Sequence, residues 1–143
     1  MSTQNYDNHR QFVKGWHYIL ATIILLTVIG SIYHLVRQWG GDFQYITALM
    51  VATNVALLAA TLYSRAFALK AQDRVIRLEE QVRSEKLNGR GLDARLTMRQ
   101  IIGLRFASDE EWNALCDRAV NENMSEGDIK KAVQNWRPDT YRV

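Results

Sequence analysis

The stretches WHYILATIILLTVIGSIYHLV at residues 16–36 and FQYITALMVATNVALLAATLYS at residues 43–64 decide the fold of this chain. Each belongs to a run of 22 residues that contains no Asp, Glu, Lys or Arg. At about 1.5 Å per residue, such a helix is roughly 33 Å long and matches a hydrocarbon core of about 30 Å. Because only six residues separate the two runs, the sequence predicts a transmembrane helical hairpin at 16–64 with antiparallel helices.

A secretory signal peptide is the alternative interpretation of the first stretch, because Arg10 and Lys14 precede it. Its apolar run is too long for the core of a signal peptide, and residues 37–41, RQWGG, offer no convincing cleavage site. The first stretch is therefore interpreted as a membrane span.

The orientation of the hairpin follows from the basic residues near its ends. Six lie on one side, against Arg37 alone on the other: Arg10, Lys14, Arg65, Lys70, Arg74 and Arg77. The positive-inside rule then predicts that both termini lie in the cytoplasm. Residues 1–15 become a cytoplasmic N-terminal lead, and the single Cys116 suits a reducing compartment.

Residues 65–91 are predicted to continue the second span as a cytoplasmic helix extension that ends in a turn. The extension has apolar residues at a 4-3-4 spacing, namely Ala71, Val75, Leu78 and Val82. Two acid-before-base pairs, Asp73 with Arg77 and Glu79 with Arg83, favour an exposed helix. The string NGRG at 88–91 then predicts a turn.

Residues 92–143 are predicted to form a small C-terminal domain of three short helices, which makes the fold class all-α. The first runs from about Thr97 to Phe106, and the second begins at Ser108 with a capping-box signature. The third begins at Ser125, carries the stripe Ile129, Ala132, Val133 and Trp136, and ends before Pro138. So short a region needs something to pack on, either the long helix or another chain.

The second span carries two series of residues on opposite faces. Small residues recur every four positions at Ala48, Ala52, Ala56, Ala60, Ser64 and Ala68, a pattern that lets helix backbones approach closely in lipid. Polar residues recur every seven positions at Thr47, Asn54 and Thr61. One neighbouring helix cannot cover both faces, so the chain is expected to form a homo-oligomer or to be a subunit of a larger membrane complex. The alternative is that Asn54 bonds its own backbone or a hairpin threonine.

Two histidines near the ends of the first span, His17 and His34, are candidate axial ligands for a haem or a chlorophyll-type ring. The alternative role, a polar anchor at the membrane interface, is favoured for both, and no cofactor is predicted. No nucleophile motif, phosphate loop or zinc-binding spacing is present in the sequence, so an enzyme is not expected.

The charge distribution bears on the expected partners. Residues 65–105 have ten basic and five acidic residues, and residues 106–143 have five basic and eight acidic ones. The basic part is suited to anionic membrane lipid, although an ordinary solvated surface explains it equally well. The net charge of +3 is too small and too mixed to indicate nucleic acid.

Three strings carry a resemblance to a known family: QNYDNHR at 4–10, LRFASDEEW at 104–112 and IKKAVQNWRPDTYRV at 129–143. They resemble a bacterial family of unknown function, whose members are short two-span membrane proteins with a charged helical C-terminal region. Members often have Pro before the first span, where this chain has Val13-Lys14-Gly15. The resemblance implies the same architecture, with the hairpin in the bacterial inner membrane, and it implies no activity.

The function expected from the sequence is that of a structural, accessory or scaffold membrane protein. It would assemble through its transmembrane helices and present the C-terminal domain to a partner. The alternative is a cofactor-binding subunit of an electron-transfer or photosynthetic complex that uses His17 or His34. Transport is weakly supported, because two spans without an intramembrane charge line a pore only if several copies assemble.

Overall fold

A computed structural model describes residues 4–9 and 12–139 of the chain, and its regular secondary structure there is helical, as predicted. The elements are a π-helical turn at Gly15–Leu20 that leads into α1 (Ala21–Arg37), then α2 (Gln44–Asn88), α3 (Met98–Leu104), α4 (Asp109–Asn121) and α5 (Glu126–Ala132). The two long helices and the small C-terminal helical region confirm the predicted all-α class. Arg10 and residues 140–143, which belong to the strings of the family resemblance, lie outside the described residues.

The chain divides into two compact units. One, here called the hairpin unit, is Phe12–Ala68, and the other, the helical unit, comprises Met1–Gln11 and Leu69–Val143. Helix α2 is continuous and contributes residues to both units.

In the hairpin unit, a tight loop joins α1 to α2. Gly40 adopts a φ of 77°, a conformation that favours glycine, and its amide donates to the Gln44 side chain at 2.8 Å. The amide of Gly41 donates to the carbonyl of Gln38 at 3.0 Å. These bonds begin α2 close to the end of α1, as the short connection requires.

In the helical unit, α2 ends at Asn88 and Gly89 follows with a φ of 66°, which confirms the predicted turn. The three short helices then enclose one apolar core, whose most buried large side chains are Ile101, Leu104, Phe106 and Ile129. Helix α2 contributes Ile76 to this core. The C-terminal region thus packs on the long helix, one of the two partners that the sequence allowed.

Local capping interactions position the short helices. Thr97 and Gln100 form a capping box at the start of α3. The buried Gln100 amide also donates to the carbonyls of Ala119 at 2.8 Å and Met124 at 3.2 Å. One side chain therefore starts α3 and satisfies one carbonyl of α4 and one in the loop that follows it.

The third short helix ends earlier than predicted. It stops at Ala132, and Trp136 instead lies in an extended segment that forms an antiparallel bridge with Ala107. Asn135 accepts from the amide of Ser108 at 3.0 Å, and the amide of Arg137 donates to Phe106 at 2.7 Å. These tertiary hydrogen bonds replace the helical ones, so the predicted helical stripe from Ile129 to Trp136 is wrong beyond Val133.

Candidate functional site

Helix α2 turns its polar series toward α1 in the hairpin unit. Thr47 is buried, Asn54 and Thr61 are half-buried, and Ser31 and Ile24 are the buried residues of α1. The hairpin is therefore closed by the face that carries Thr47, Asn54 and Thr61.

The hydroxyl groups of this face bond to their own helices and not across the hairpin. Ser31 donates to the Val28 carbonyl, Thr47 to Gln44 and Thr61 to Leu57, each at 2.9 Å.

The Asn54 side chain has no hydrogen-bond partner among the described residues. It lines an open depression together with Ile46, Leu49, Met50 and Thr53. A polar amide in that position is suited to a donor or acceptor from a further helix.

The small-residue series stays uncovered. Ala48, Ala52, Ala56, Ala60 and Ser64 are all exposed, and Ala68 is half-buried. Because α1 occupies the opposite side of α2, the ladder is a continuous narrow surface along the hairpin unit, available for close contact with another helix.

The structure does not bring His17 and His34 together, since both belong to the first apolar segment and lie near its two ends. His17 is engaged locally: its Nδ1 is 3.1 Å from both the amide and the carbonyl of Val13, and its ring packs edge-on against Trp16 at 4.8 Å. His34 is exposed in the last turn of α1. Among residues 4–9 and 12–139, no three His, Cys, Asp or Glu side chains form a potential metal-binding group.

A different cluster forms where residues 4–9, here called the strap, lie on the helical unit. The Gln4 side chain makes two hydrogen bonds with the backbone of Asp139, accepting from its amide at 2.7 Å and donating to its carbonyl at 3.3 Å. The ring of Tyr6 lies 5.5 Å from the Lys131 ammonium group, within the range of a cation–π contact.

His9 is the central residue of the strap. Its ring centroid is 5.8 Å from those of Phe106 and Trp136. Its Nδ1 lies 2.5 Å from the Tyr6 carbonyl, and its Nε2 lies 3.4 Å from the ammonium group of Lys130. A neutral imidazole that donates through Nδ1 and accepts at Nε2 fits this arrangement.

Beside the strap, a buried ion cluster links α2 to α4. Glu80 is only 2% exposed and accepts hydrogen bonds from Trp112 Nε1 at 2.7 Å and Arg83 Nη1 at 3.3 Å. Arg83 also binds the Asp109 carboxylate through Nε at 2.7 Å and the Ala107 carbonyl through Nη2 at 2.7 Å. Burial raises the pKa of Glu80, although the neighbouring Arg83 and the Trp112 donor oppose that rise.

This cluster corrects one prediction. Arg83 was expected to pair with Glu79 on an exposed helix face, but it is buried and binds Glu80 and Asp109. The reason is tertiary: the C-terminal region packs on the side of α2 that carries Glu80, and Arg83 lies on that side.

The three strings that carry the family resemblance therefore meet in space. Residues 4–9 of the first string contact Phe106 of the second and Lys130, Lys131, Trp136 and Asp139 of the third. A family model described as "Family of unknown function (DUF6526)" matches residues 1–143. The chain belongs to DUF6526. No curated protein and no solved structure gives a significant match.

Sequence reasoning missed the strap of this DUF6526 member, because it treated residues 1–15 as a separate lead. A signal was available, since Tyr6 and His9 are aromatic residues in an otherwise polar segment that shares the family strings. It also missed the burial of Glu80. Nothing in hydropathy distinguishes Glu80 from the neighbouring Glu79, so only the packing of α4 identifies which one is buried.

Proposed function

We propose that this protein is an integral membrane protein that acts by binding and not by catalysis. In this proposal the hairpin unit is embedded in the bacterial inner membrane, with both termini in the cytoplasm. The uncovered face of α2 joins the protein to further membrane helices, and the helical unit is presented to a cytoplasmic protein partner.

The exposure of the two long helices is the observation that carries the proposal. Of an apolar stretch of 18 residues in each helix, only 11% is buried in the first helix and 6% in the second. The core helix of a water-soluble protein would be mostly buried. Side chains such as Ile19, Leu26 and Leu62 instead point away from the protein. Soluble monomers rarely expose more than a few hundred Å² of contiguous apolar surface, whereas lipid covers such a surface without cost.

The assembly face is supported by what α1 leaves uncovered. Helix α1 packs on the polar series of α2, so the ladder from Ala48 to Ser64 is free. On another side of α2, an open depression contains Asn54, whose amide has no partner in the described chain and would be costly in hydrocarbon. A further helix in contact with the ladder would cover that face, whereas the Asn54 amide needs a donor or acceptor on its own side of α2.

Alkaline carbonate extraction tests the membrane anchor. We expect the full chain to stay in the membrane pellet at high pH and to be released by a mild detergent. Release by carbonate alone would contradict membrane insertion, because only peripheral proteins are extracted in that way.

Two leucine substitutions test the assembly face. Ala56→Leu adds bulk to the ladder and should weaken assembly by about 1 kcal/mol, roughly fivefold in the equilibrium constant. Asn54→Leu should loosen the hairpin and change assembly less, because the Asn54 side chain is half covered by α1. Ala66→Leu is the matched control, since Ala66 is exposed but lies outside the ladder.

Single-molecule photobleaching in native membranes would count the copies in each assembly, and cross-linking with mass spectrometry would identify other subunits. A monomeric wild type without cross-linked partners would contradict the assembly proposal. So would an Ala56→Leu variant that assembles like the Ala66→Leu control.

A further inference from the structure

The part of α2 that belongs to the helical unit has two unlike sides. One side, with Ile76, Glu80 and Arg83, is buried against the C-terminal region. The other carries Ala71, Val75, Leu78 and Val82, here called the α2 stripe. The stripe is exposed: the three large side chains are 53%, 65% and 49% accessible, in chain order. Within the described chain, no element covers the stripe.

The spacing of the α2 stripe is that of a coiled-coil seam. At about 100° per residue, the four positions fall within an arc of about 60° on the helix surface, which is narrow enough for one partner helix. In heptad terms Val75 and Val82 occupy a positions, and Ala71 and Leu78 occupy d positions. β-Branched residues at a with Leu at d favour two parallel strands.

We propose that the α2 stripe is a self-association seam, in which two copies of this chain form a short parallel coiled coil outside the membrane. The inference rests on the proposed function in one respect. Two copies inserted in one membrane with the same orientation have parallel α2 helices, so a two-fold axis along the membrane normal makes the stripe face itself.

The charges beside the stripe are complementary for this arrangement. Arg74 occupies the g position before Val75, and Glu79 occupies the e position after Leu78. In a parallel pair, a g residue faces the e residue five positions later on the partner helix. Arg74 of one copy therefore faces Glu79 of the other, and symmetry gives this pair twice. Neither residue forms an ion pair within the described part of its own chain.

The seam is short, so its pairing depends on the membrane anchor that holds the two helices together. Glu85 occupies the next d position, so two like charges would meet there and the seam ends at Val82. About two heptads are fewer than an independent coiled coil sustains. Confinement to the same membrane raises the effective concentration of the two helices and offsets that shortness.

Cysteine cross-linking in the full-length chain tests the seam directly. The variants Val75→Cys, Leu78→Cys and Val82→Cys are made in a Cys116→Ala background and oxidised in native membranes. Arg77→Cys is the control, since Arg77 is exposed but outside the stripe. We expect all three seam variants to give disulfide-linked dimer at least fivefold above the control. An antiparallel pair would allow one such contact at most, so three define a parallel, in-register seam.

Charge reversal then identifies the partner. In the Leu78→Cys chain, Arg74→Glu or Glu79→Arg alone should reduce the cross-linked dimer several-fold, and the double exchange should restore it. Rescue requires that the partner carry the same two residues. Seam cysteines that cross-link no better than Arg77→Cys, cross-link only to another protein, or show no rescue would each overturn the inference.

An Ala56→Cys variant separates this result from the proposed assembly within the membrane. A cross-link at Ala56 without any at the stripe overturns the seam and leaves the proposed function intact. Cross-links at the stripe without one at Ala56 support the seam and contradict the ladder as a contact between two copies of this chain, while a contact of the ladder with another subunit is tested by the cross-linking with mass spectrometry described above.

Discussion

Trp112 connects the apolar core of the helical unit to its buried charge. The indole N–H donates to the Glu80 carboxylate at 2.7 Å, and the Arg83 guanidinium lies 5.6 Å from the ring centroid. Because burial raises the pKa of Glu80, the folded unit holds the Glu80 proton more tightly than the unfolded chain does. The contribution of Glu80 to stability is therefore greatest below its unfolded pKa and is lost as pH rises through its folded pKa.

Substitutions at Trp112 test that connection. Trp112→Phe keeps an aromatic ring but removes the donor, and should lower the free energy of unfolding by about 1–3 kcal/mol. Trp112→Ala also leaves a cavity and should cost about 3–5 kcal/mol. The Phe variant should lose less at acidic pH than at neutral pH, because a protonated Glu80 needs that donor less. A loss that does not change with pH would contradict the role of the Trp112 bond in stabilising the ionised Glu80.

Alkylation of Cys116 measures the unfolding of the helical unit in these variants, since Cys116 is the single cysteine of the chain and is buried in α4. Burial raises the pKa of its thiol to about 12, so the folded unit holds almost no reactive thiolate at pH 8. We expect slow alkylation of the wild type in detergent solution, faster labelling of Trp112→Phe and the fastest labelling of Trp112→Ala as denaturant is added. Rapid labelling of the undenatured wild type would contradict the burial of Cys116.

At the scale of elements, the contact between α3 and α5 depends on a glycine. A methyl group added to Gly103 would lie 3.0 Å from Ile129 Cγ2 and 3.2 Å from the Glu126 carbonyl oxygen. Both are closer than ordinary van der Waals contact. The two short helices therefore approach each other closely at Gly103, and a larger residue there would require Ile129 or the Glu126 carbonyl to move.

Two alanine substitutions separate packing from helix propensity. Alanine is favoured over glycine inside a helix by about 1 kcal/mol. Gly127→Ala in α5 should therefore stabilise the unit, since its added methyl meets only Ser125 Oγ at 3.8 Å. Gly103→Ala should destabilise it by about 1–3 kcal/mol because of overpacking. Denaturant titration followed by Cys116 labelling would measure both, and equal effects of the two substitutions would contradict the close α3–α5 contact.

At the scale of the whole molecule, the prediction concerns the sides of the membrane. Both termini should lie in the cytoplasm. Basic residues cluster where the chain enters the first span and leaves the second, and Arg37 is the single basic residue in the loop that connects the spans. A C-terminal alkaline phosphatase fusion should be inactive, and a C-terminal green fluorescent protein fusion should be fluorescent. The same reporters inserted at Gly40 serve as the control and should give the opposite result.

An active phosphatase at the C terminus would contradict this topology. It would also contradict the cytoplasmic location of the helical unit in the proposed function. The packing inside the helical unit would be unaffected, because its core and its buried ion cluster do not depend on which side of the membrane they face.

Local chemistry determined much of this protein from the sequence alone. Two runs of 22 residues without charged side chains predicted the two long helices, since no other stretch of the sequence is free of charge over that length. The capping-box signature at Ser108 and the cap at Ser125 marked helix starts correctly, and the NGRG turn marked the end of α2. Caps and turns are short-range interactions, so the residues that make them are neighbours in the sequence.

Tertiary structure decided which face of each helix is covered. The sequence offered two faces of the second span, and packing of α1 on Thr47 and Asn54 left the alanine ladder free. It offered the apolar stripe of the extension, yet the C-terminal region packed on Ile76, Glu80 and Arg83 instead. Trp136 lies outside its predicted helix and forms a bridge with Ala107. The strap contacts residues more than a hundred positions away, as in the hydrogen bond of Gln4 with Asp139. Each outcome depends on contacts between distant segments, whose energies no local pattern of hydropathy or charge contains.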